Sequence, residues 1–216
     1  MENNSDNTRM VNGQIKPING ISESLVSIFY NLERSNFFPK ELIKSSYVEK
    51  NLVLPNQRVI LKAELVAKIA MFCNPKENEN ILILGSTIGY LTAVLSLMAE
   101  TIIVVEEDEK LMNFSETAIK KNNLNNVIYI NKSLSNGCQE YGPFNAIVIE
   151  GAVDHVPQKL LNQLEKGGRL IAILSENGIC NAKMFTRKEA MFYAEQLFPC
   201  SLPVLPSFKE RKIFSF

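Results

Sequence analysis

The stretch ILILGSTIGYLTAVLSLMAETIIVV, residues 81–105, constrains this chain more than any other. Four aliphatic residues, Ile81 to Leu84, are too few for a helix and are closed off by Gly85, so they read as a buried strand. The turn Gly85-Ser86-Thr87-Ile88-Gly89 follows, and Tyr90 to Ala99 continue as a helix. A second aliphatic run, Ile102 to Val105, then ends in Glu106 and Glu107. Strand, glycine turn, helix, strand and acid is the layout of a nucleotide-binding βαβ unit, with the acid about 20 residues past the first glycine. That acid has a chemical use, because one carboxylate can accept hydrogen bonds from both hydroxyls of a ribose.

The alternation continues on both sides. A helix is expected over Glu23–Arg34 with Ser22 as its N-cap, a short helical piece at Lys40–Ser45, and a helix over Ala63–Cys73. Between them, Leu52–Lys62 carries Pro55 and reads as irregular. Downstream come a helix at 109–121, strands at 127–130 and 145–149, a helix from Pro157 to Leu164 stopped by Gly167-Gly168, and a strand at 169–174. This order implies an α/β fold: a Rossmann-like, doubly wound, mostly parallel sheet with helices on both faces. Residues 10–75 form an N-terminal helical extension, 76–216 the core, and the polar residues 1–9 a disordered tail. In the last forty residues, Met184-Phe185, Ala190–Phe198 and Lys212–Phe216 supply two or three further strands and a helix. Pro199, Pro203 and Pro206 confine strand pairing there to edges and loops.

Composition narrows the function classes. Lys and Arg together number 23, as do Asp and Glu, so no net charge draws the chain to nucleic acid or to an anionic membrane. No apolar segment reaches the length of a membrane span, and the first twenty residues lack the apolar core of a signal peptide. Four scattered cysteines without a CxxC pair point to reduced thiols and a cytoplasmic location. His155 is the only histidine, which excludes a multi-histidine zinc site; no metal is expected, and His155 itself reads as a loop residue.

In a parallel α/β sheet, ligands lie beyond the C-terminal ends of the strands. Here that rim comprises Gly85 to Tyr90, Glu106-Glu107, Asn131 to Leu134 and Glu150-Gly151-Ala152. The glycines are spaced Gly-x-x-x-Gly rather than Gly-x-Gly-x-x-Gly, and a pyrophosphate needs the missing glycine more than an amino-acid carboxylate does. This tilts the cofactor from NAD toward S-adenosylmethionine. The plainer alternative is that Gly85 and Gly89 only make a tight strand-to-helix turn.

The blocks VNGQIKPINGIS, SNFFPKEL, ILILGSTIGYLTAVLSLMA, IIVVEED and, above all, PFNAIVIEGAVDHVPQKLLNQLEKGGRLIAIL resemble the protein-L-isoaspartate O-methyltransferase family from about Met10 to Leu174. The resemblance implies a class I methyltransferase using S-adenosylmethionine to methylate the stray carboxyl of isoaspartyl residues in damaged proteins, the first step of their repair. It places Gly85, Ser86, Thr87, Gly89 and Tyr90 along the methionine end of the cofactor, and Glu106 and Glu107 at the ribose. Ser133 and Leu134 fall beside adenine, with Glu150 and Gly151 toward the reacting centre. The family's Gly-x-Gly-x-Gly has Thr87 in its middle position here, its preceding acid is Ile83, and its Gly-Asp-Gly is Lys132-Ser133-Leu134. Its substrate-contacting Gln-Thr-Ile-Ser is Gln57-Arg58-Val59-Ile60, so Gln57 and Arg58 become the candidate catalytic residues and the Ser position holds Ile. Arg58 and Lys62 read either as cations that attract a substrate carboxylate or as solvated surface charges. Two other readings stay open: a methyltransferase with another acceptor, and a non-catalytic binding protein that kept the fold.

Overall fold

The computed structural model describes residues 5–176 and 178–209. Helix α1 (Asp6–Met10) runs into a π-helical turn at Val11–Ile15, and α2 spans Glu23–Asn31. Residues 5–9 are therefore not the disordered tail that their polarity implied. The Ser5 side chain caps Thr8 N, and Asn7 Nδ2 donates to Phe29 O at 3.0 Å, so a polar side chain is what anchors this end. After 3-10 turns at Arg34–Phe37 and Lys40–Ser45, strands β1 (Leu52–Val53) and β2 (Val59–Ile60) form a short antiparallel hairpin where sequence implied only irregular chain.

Helix α3 (Ala63–Cys73) leads into β3 (Asn80–Leu84), α4 (Tyr90–Ser96), β4 (Thr101–Val105), α5 (Glu109–Lys121) and β5 (Val127–Ile130). Helix α4 ends three residues earlier than its apolar run, because the Asn126 amide takes the carbonyls of Ser96, Ala99 and Glu100 and turns the chain into β4. Next come β6 (Phe144–Val153), α6 (Gln158–Leu161), and the long strands β7 (Leu164–Glu176), β8 (Ile179–Lys188) and β9 (Met191–Pro199). Helix α6 is a single turn rather than the eight residues expected. Phe144 N bonds Gln163 O at 2.9 Å, so sheet pairing captures the chain before a second turn can form. The Ala190–Phe198 run is strand β9, and the strand expected at Lys212–Phe216 lies outside the described residues.

The seven strands lie in the order β5-β4-β3-β6-β7-β8-β9. The five from β5 to β7 are parallel, and the β7-β8-β9 meander is antiparallel. Alternate residues of a strand face opposite layers. Ile81 and Ile83 accordingly join a core with α2, α3, α4 and α5, while Leu82 and Leu84 join one with α6 and Phe208. Covering both faces is what lets β3 be apolar throughout.

The N-terminal extension is fastened to the first of these layers by Arg34, which is 2% exposed. Its Nε donates to Ser46 O at 2.7 Å and its Nη2 to Leu61 O at 2.6 Å, while its guanidinium stacks 4.6 Å from the Tyr90 ring centroid. The winding reverses between β3 and β6, so the Gly85 turn and Glu150 meet at that switch point. No described helix is long and apolar enough to cross a membrane.

Candidate cofactor site

Glu106 follows the last residue of β4 and is fully buried, with its carboxylate against the turn after β3. Three groups converge on it. Ser86 N donates to Oε2 at 2.8 Å, Asp108 N donates to Oε1 at 3.0 Å, and Arg58 closes on both oxygens from Nη1 and Nη2 at 2.6 Å each. Gly85, at φ +83°, presents bare backbone beside them; a Cβ there would lie 2.7 Å from Arg58 Nη2. Arg58 is 3% exposed, so the solvated-charge reading of this residue is wrong. The β1-β2 hairpin delivers it, with Arg58 N bonded to Asn56 Oδ1 and Asn56 Nδ2 to Asp108 Oδ2. Burial alone would lower the guanidinium pKa, but the hydrogen bonds and charge of Glu106 outweigh it and hold it above its ordinary value. Lys62, the other cation considered, pairs with Glu64 instead.

Beside this pair, Glu150 emerges near the end of β6, 3% exposed. Its Oε1 accepts from Thr87 N at 3.3 Å and its Oε2 has no partner. Burial pushes its carboxyl up to about 7, against the opposing pull of Arg58. Two of the N–H groups in this turn are therefore engaged by the chain's own carboxylates, Ser86 N by Glu106 and Thr87 N by Glu150. The Ser86 hydroxyl points down into the protein, onto Thr92 Oγ1 at 3.0 Å and Ser115 Oγ at 2.7 Å. Gly89, at φ +83°, is pressed on that same Ser115: a Cβ would lie 2.8 Å from its Oγ.

The remaining candidates divide. Glu107 accepts from Leu134 N at 3.3 Å, and Leu134 is buried. Ser133 is exposed, with its hydroxyl near Ser135 Oγ. Tyr90 is 1% exposed, with its ring edge-on to Phe29 and Phe37, so the ring belongs to the core. Gln57 sits exposed at the hairpin tip with φ +62° and accepts from Lys209 Nζ at 2.8 Å, away from the buried acids. Ile60 is buried in β2, opposite Leu52. His155 is exposed in the loop after β6.

One participant was missed in the sequence: the segment 204–209. Leu205 N bonds Ala152 O at 2.9 Å, Ser207 Oγ donates to Glu107, and Asp154 N bonds Phe208 O. Leu205 lies on Gly151, where a Cβ would stand 2.6 Å from its Cγ. Gly151→Ala is therefore expected to lift this strap at a cost of about 1–3 kcal/mol, the usual penalty of overpacking. Faster proteolysis confined to the C-terminal segment would show it; an unchanged digestion pattern would mean the strap is held elsewhere. A cavity of about 330 Å³ remains between strap and rim, lined by Asn56, Arg58, Glu107, Asp108 and Pro206.

A buried acid after β4, a bare glycine turn and a rim thus meet at the switch point of the sheet. The family model for protein-L-isoaspartate(D-aspartate) O-methyltransferase matches residues 5–202. The chain belongs to that family. A protein-L-isoaspartate O-methyltransferase of Vibrio campbellii is 30% identical over 158 residues, covering 73% of this chain and 76% of that one. One from Methanospirillum hungatei is 23% identical over 192 residues, 89% of each chain. The crystal structure of a Plasmodium falciparum protein described as a putative member, in complex with S-adenosyl-L-homocysteine, superposes with a TM-score of 0.80. It covers 94% of this chain and 99% of that one at 18% identity, a likeness of fold.

The family's cofactor is S-adenosylmethionine, and the residues present suit it. Glu106 would accept from a ribose diol, the bare backbone at Gly85 would allow close approach, and Leu134 would pack on adenine. In this structure both Glu106 oxygens are held by Arg58.

Proposed function

We propose that this chain transfers a methyl group from S-adenosylmethionine to the carboxylate of isoaspartyl residues in damaged proteins. The observation that carries this reading is Glu106, a buried carboxylate pre-oriented by Ser86 N and Asp108 N at the switch point of the sheet. The cofactor supplies an electrophilic methyl on sulfur. The acceptor carboxylate is already an anion above pH of about 4 and needs no strong base. The protein's task is then alignment, worth several kcal/mol when the reacting atoms are held in attack geometry.

Glu106 would orient the nucleoside, the bare Gly85 turn would admit the methionine end, and Leu134 would pack on adenine. The strap at Leu205 and Pro206 would exclude water from the rim. Gln57, exposed at the hairpin tip beside Lys209, is the residue retained from the family's substrate-contacting segment, and we assign it to substrate contact. The four cysteines, all free and two of them buried, fit a reducing cytoplasm, where damaged intracellular proteins would be the partners.

The test is methyl transfer from radiolabelled S-adenosylmethionine to a synthetic isoaspartyl peptide, with the aspartyl peptide as control. Base-labile label on the isoaspartyl peptide alone is the expected result. Label of neither peptide, from a protein that binds cofactor, would favour another acceptor, as the Ile60 substitution in the substrate segment allows.

A further inference from the structure

The four acceptor positions of the Glu106 carboxylate are all filled, two by fixed backbone N–H groups and two by Arg58. A ribose diol needs both oxygens. The backbone donors belong to the β3-α4 turn and to the start of α5, where Asp108 caps the helix through Lys110 N and Leu111 N. They cannot move without unfolding those elements. Arg58 is the one donor on a long side chain, so entry of a ribose must go through it.

The same pocket holds a destination for the displaced group. Glu150 Oε2 and Arg58 Nε are both buried and without a partner, one an acceptor and the other a donor. Arg58 and Glu150 both flank Gly85: a Cβ there would lie 2.7 Å from Arg58 Nη2 and 3.6 Å from the Glu150 main-chain carbonyl oxygen, and the charge of each side chain bears on the ionisation of the other. Unsatisfied buried polar groups are costly, and a donor and an acceptor left open around the same glycine turn would both be satisfied by pairing in another arrangement.

Resting on the methyltransferase reading above, we propose that Arg58 is a built-in competitor of the cofactor. Its guanidinium occupies the ribose acid Glu106 in the resting protein and transfers to Glu150 when the nucleoside binds. Arg58 thereby links cofactor binding to the β1-β2 hairpin and to Gln57 at its tip. The guanidinium stays buried and paired in both states, which keeps the exchange small in free energy. Part of the nucleoside's affinity is spent on the exchange, so binding is weakened by the fraction of protein in the closed state.

The experiment is calorimetric titration of the intact chain and two variants with S-adenosylhomocysteine, with thermal melts to establish folding. Arg58→Met removes the competitor while keeping the apolar stem, and Kd is expected to fall at least tenfold. Glu150→Gln removes the anionic receiver, and Kd is expected to rise about tenfold. Should Arg58→Met fail to fold, Glu150→Gln still decides. Unchanged or tighter binding in Glu150→Gln, or unchanged or weaker binding in a folded Arg58→Met, overturns the exchange while leaving cofactor binding intact. Absence of binding in the intact chain and in both variants would sink the cofactor reading and the exchange with it.

Discussion

Glu106→Ala is expected to be the most damaging single substitution in the cleft, costing about 3–5 kcal/mol of folding stability. The side chains of Arg58 and Glu106 are 4% and 0% exposed, and they meet through two parallel hydrogen bonds at 2.6 Å. Removing the carboxylate leaves a buried guanidinium without its anion and also releases Ser86 N and Asp108 N. The loss dwarfs that of the exposed pairs, such as Lys166–Glu189, which contribute at most about 1 kcal/mol. Urea denaturation measures it. A loss below about 1 kcal/mol would mean that water reaches the pair freely and that the site is more open than described. The same variant should lose binding of S-adenosylhomocysteine, since no other buried acid stands at the end of β4.

Glu150→Gln should act in the opposite direction on stability. Its carboxyl has an ordinary value of 4.5 and is pushed up to about 7, chiefly by burial. Between those values the folded protein holds a proton that the unfolded chain releases, so the stability contributed by this group falls as pH rises through the window. Above pH of about 7 the folded state carries a buried carboxylate with one oxygen unpartnered. Gln is neutral at every pH and avoids that state. The variant is therefore expected to exceed the wild type by about 2–3 kcal/mol at pH 8, with the difference shrinking toward zero near pH 5. The carboxylates of Glu64 and Glu79 are held below their ordinary value by Lys62 and Lys68 and by Arg169, respectively. They titrate under the window and do not mask it. Denaturation midpoints at pH 5 and pH 8 decide the matter; equal differences at both would show that Glu150 does not titrate there.

The strands β3, β4 and β5 and helices α3 and α5 were legible because each is a self-contained pattern: an aliphatic run bounded by turn residues, or a 3.6-residue repeat with a cap. The acid after β4 was legible for the same reason, its distance from Gly85 being set by one helix and one strand. Where pairing over long range decided the outcome, sequence reading fell short. Helix α6 lost its second turn to the Phe144–Gln163 bond, and the run Ala190–Phe198 became a strand because β8 lay beside it.

Arg58 is the clearest case. In the polar surroundings of Asn56-Gln57-Arg58 it looks like a surface charge, and nothing local announces a carboxylate 48 positions downstream. The strap at 204–208 was hidden likewise, since its prolines read only as breakers of strands. Its one trace is Gly151, whose missing side chain makes room for Leu205. The surroundings of Tyr90 were likewise set from a distance. Its place after the glycine turn suggested a ligand contact, yet the N-terminal extension supplies Phe29, Phe37 and Arg34 to enclose the ring.

In the proposed exchange Glu106 serves two partners in turn, Arg58 at rest and the ribose in the complex. A crystal structure of this chain grown with S-adenosylhomocysteine tests it most directly. Both ribose hydroxyls are expected on the Glu106 carboxylate, with the Arg58 guanidinium moved onto Glu150. A nucleoside bound elsewhere, with Arg58 still forked on Glu106, would contradict it.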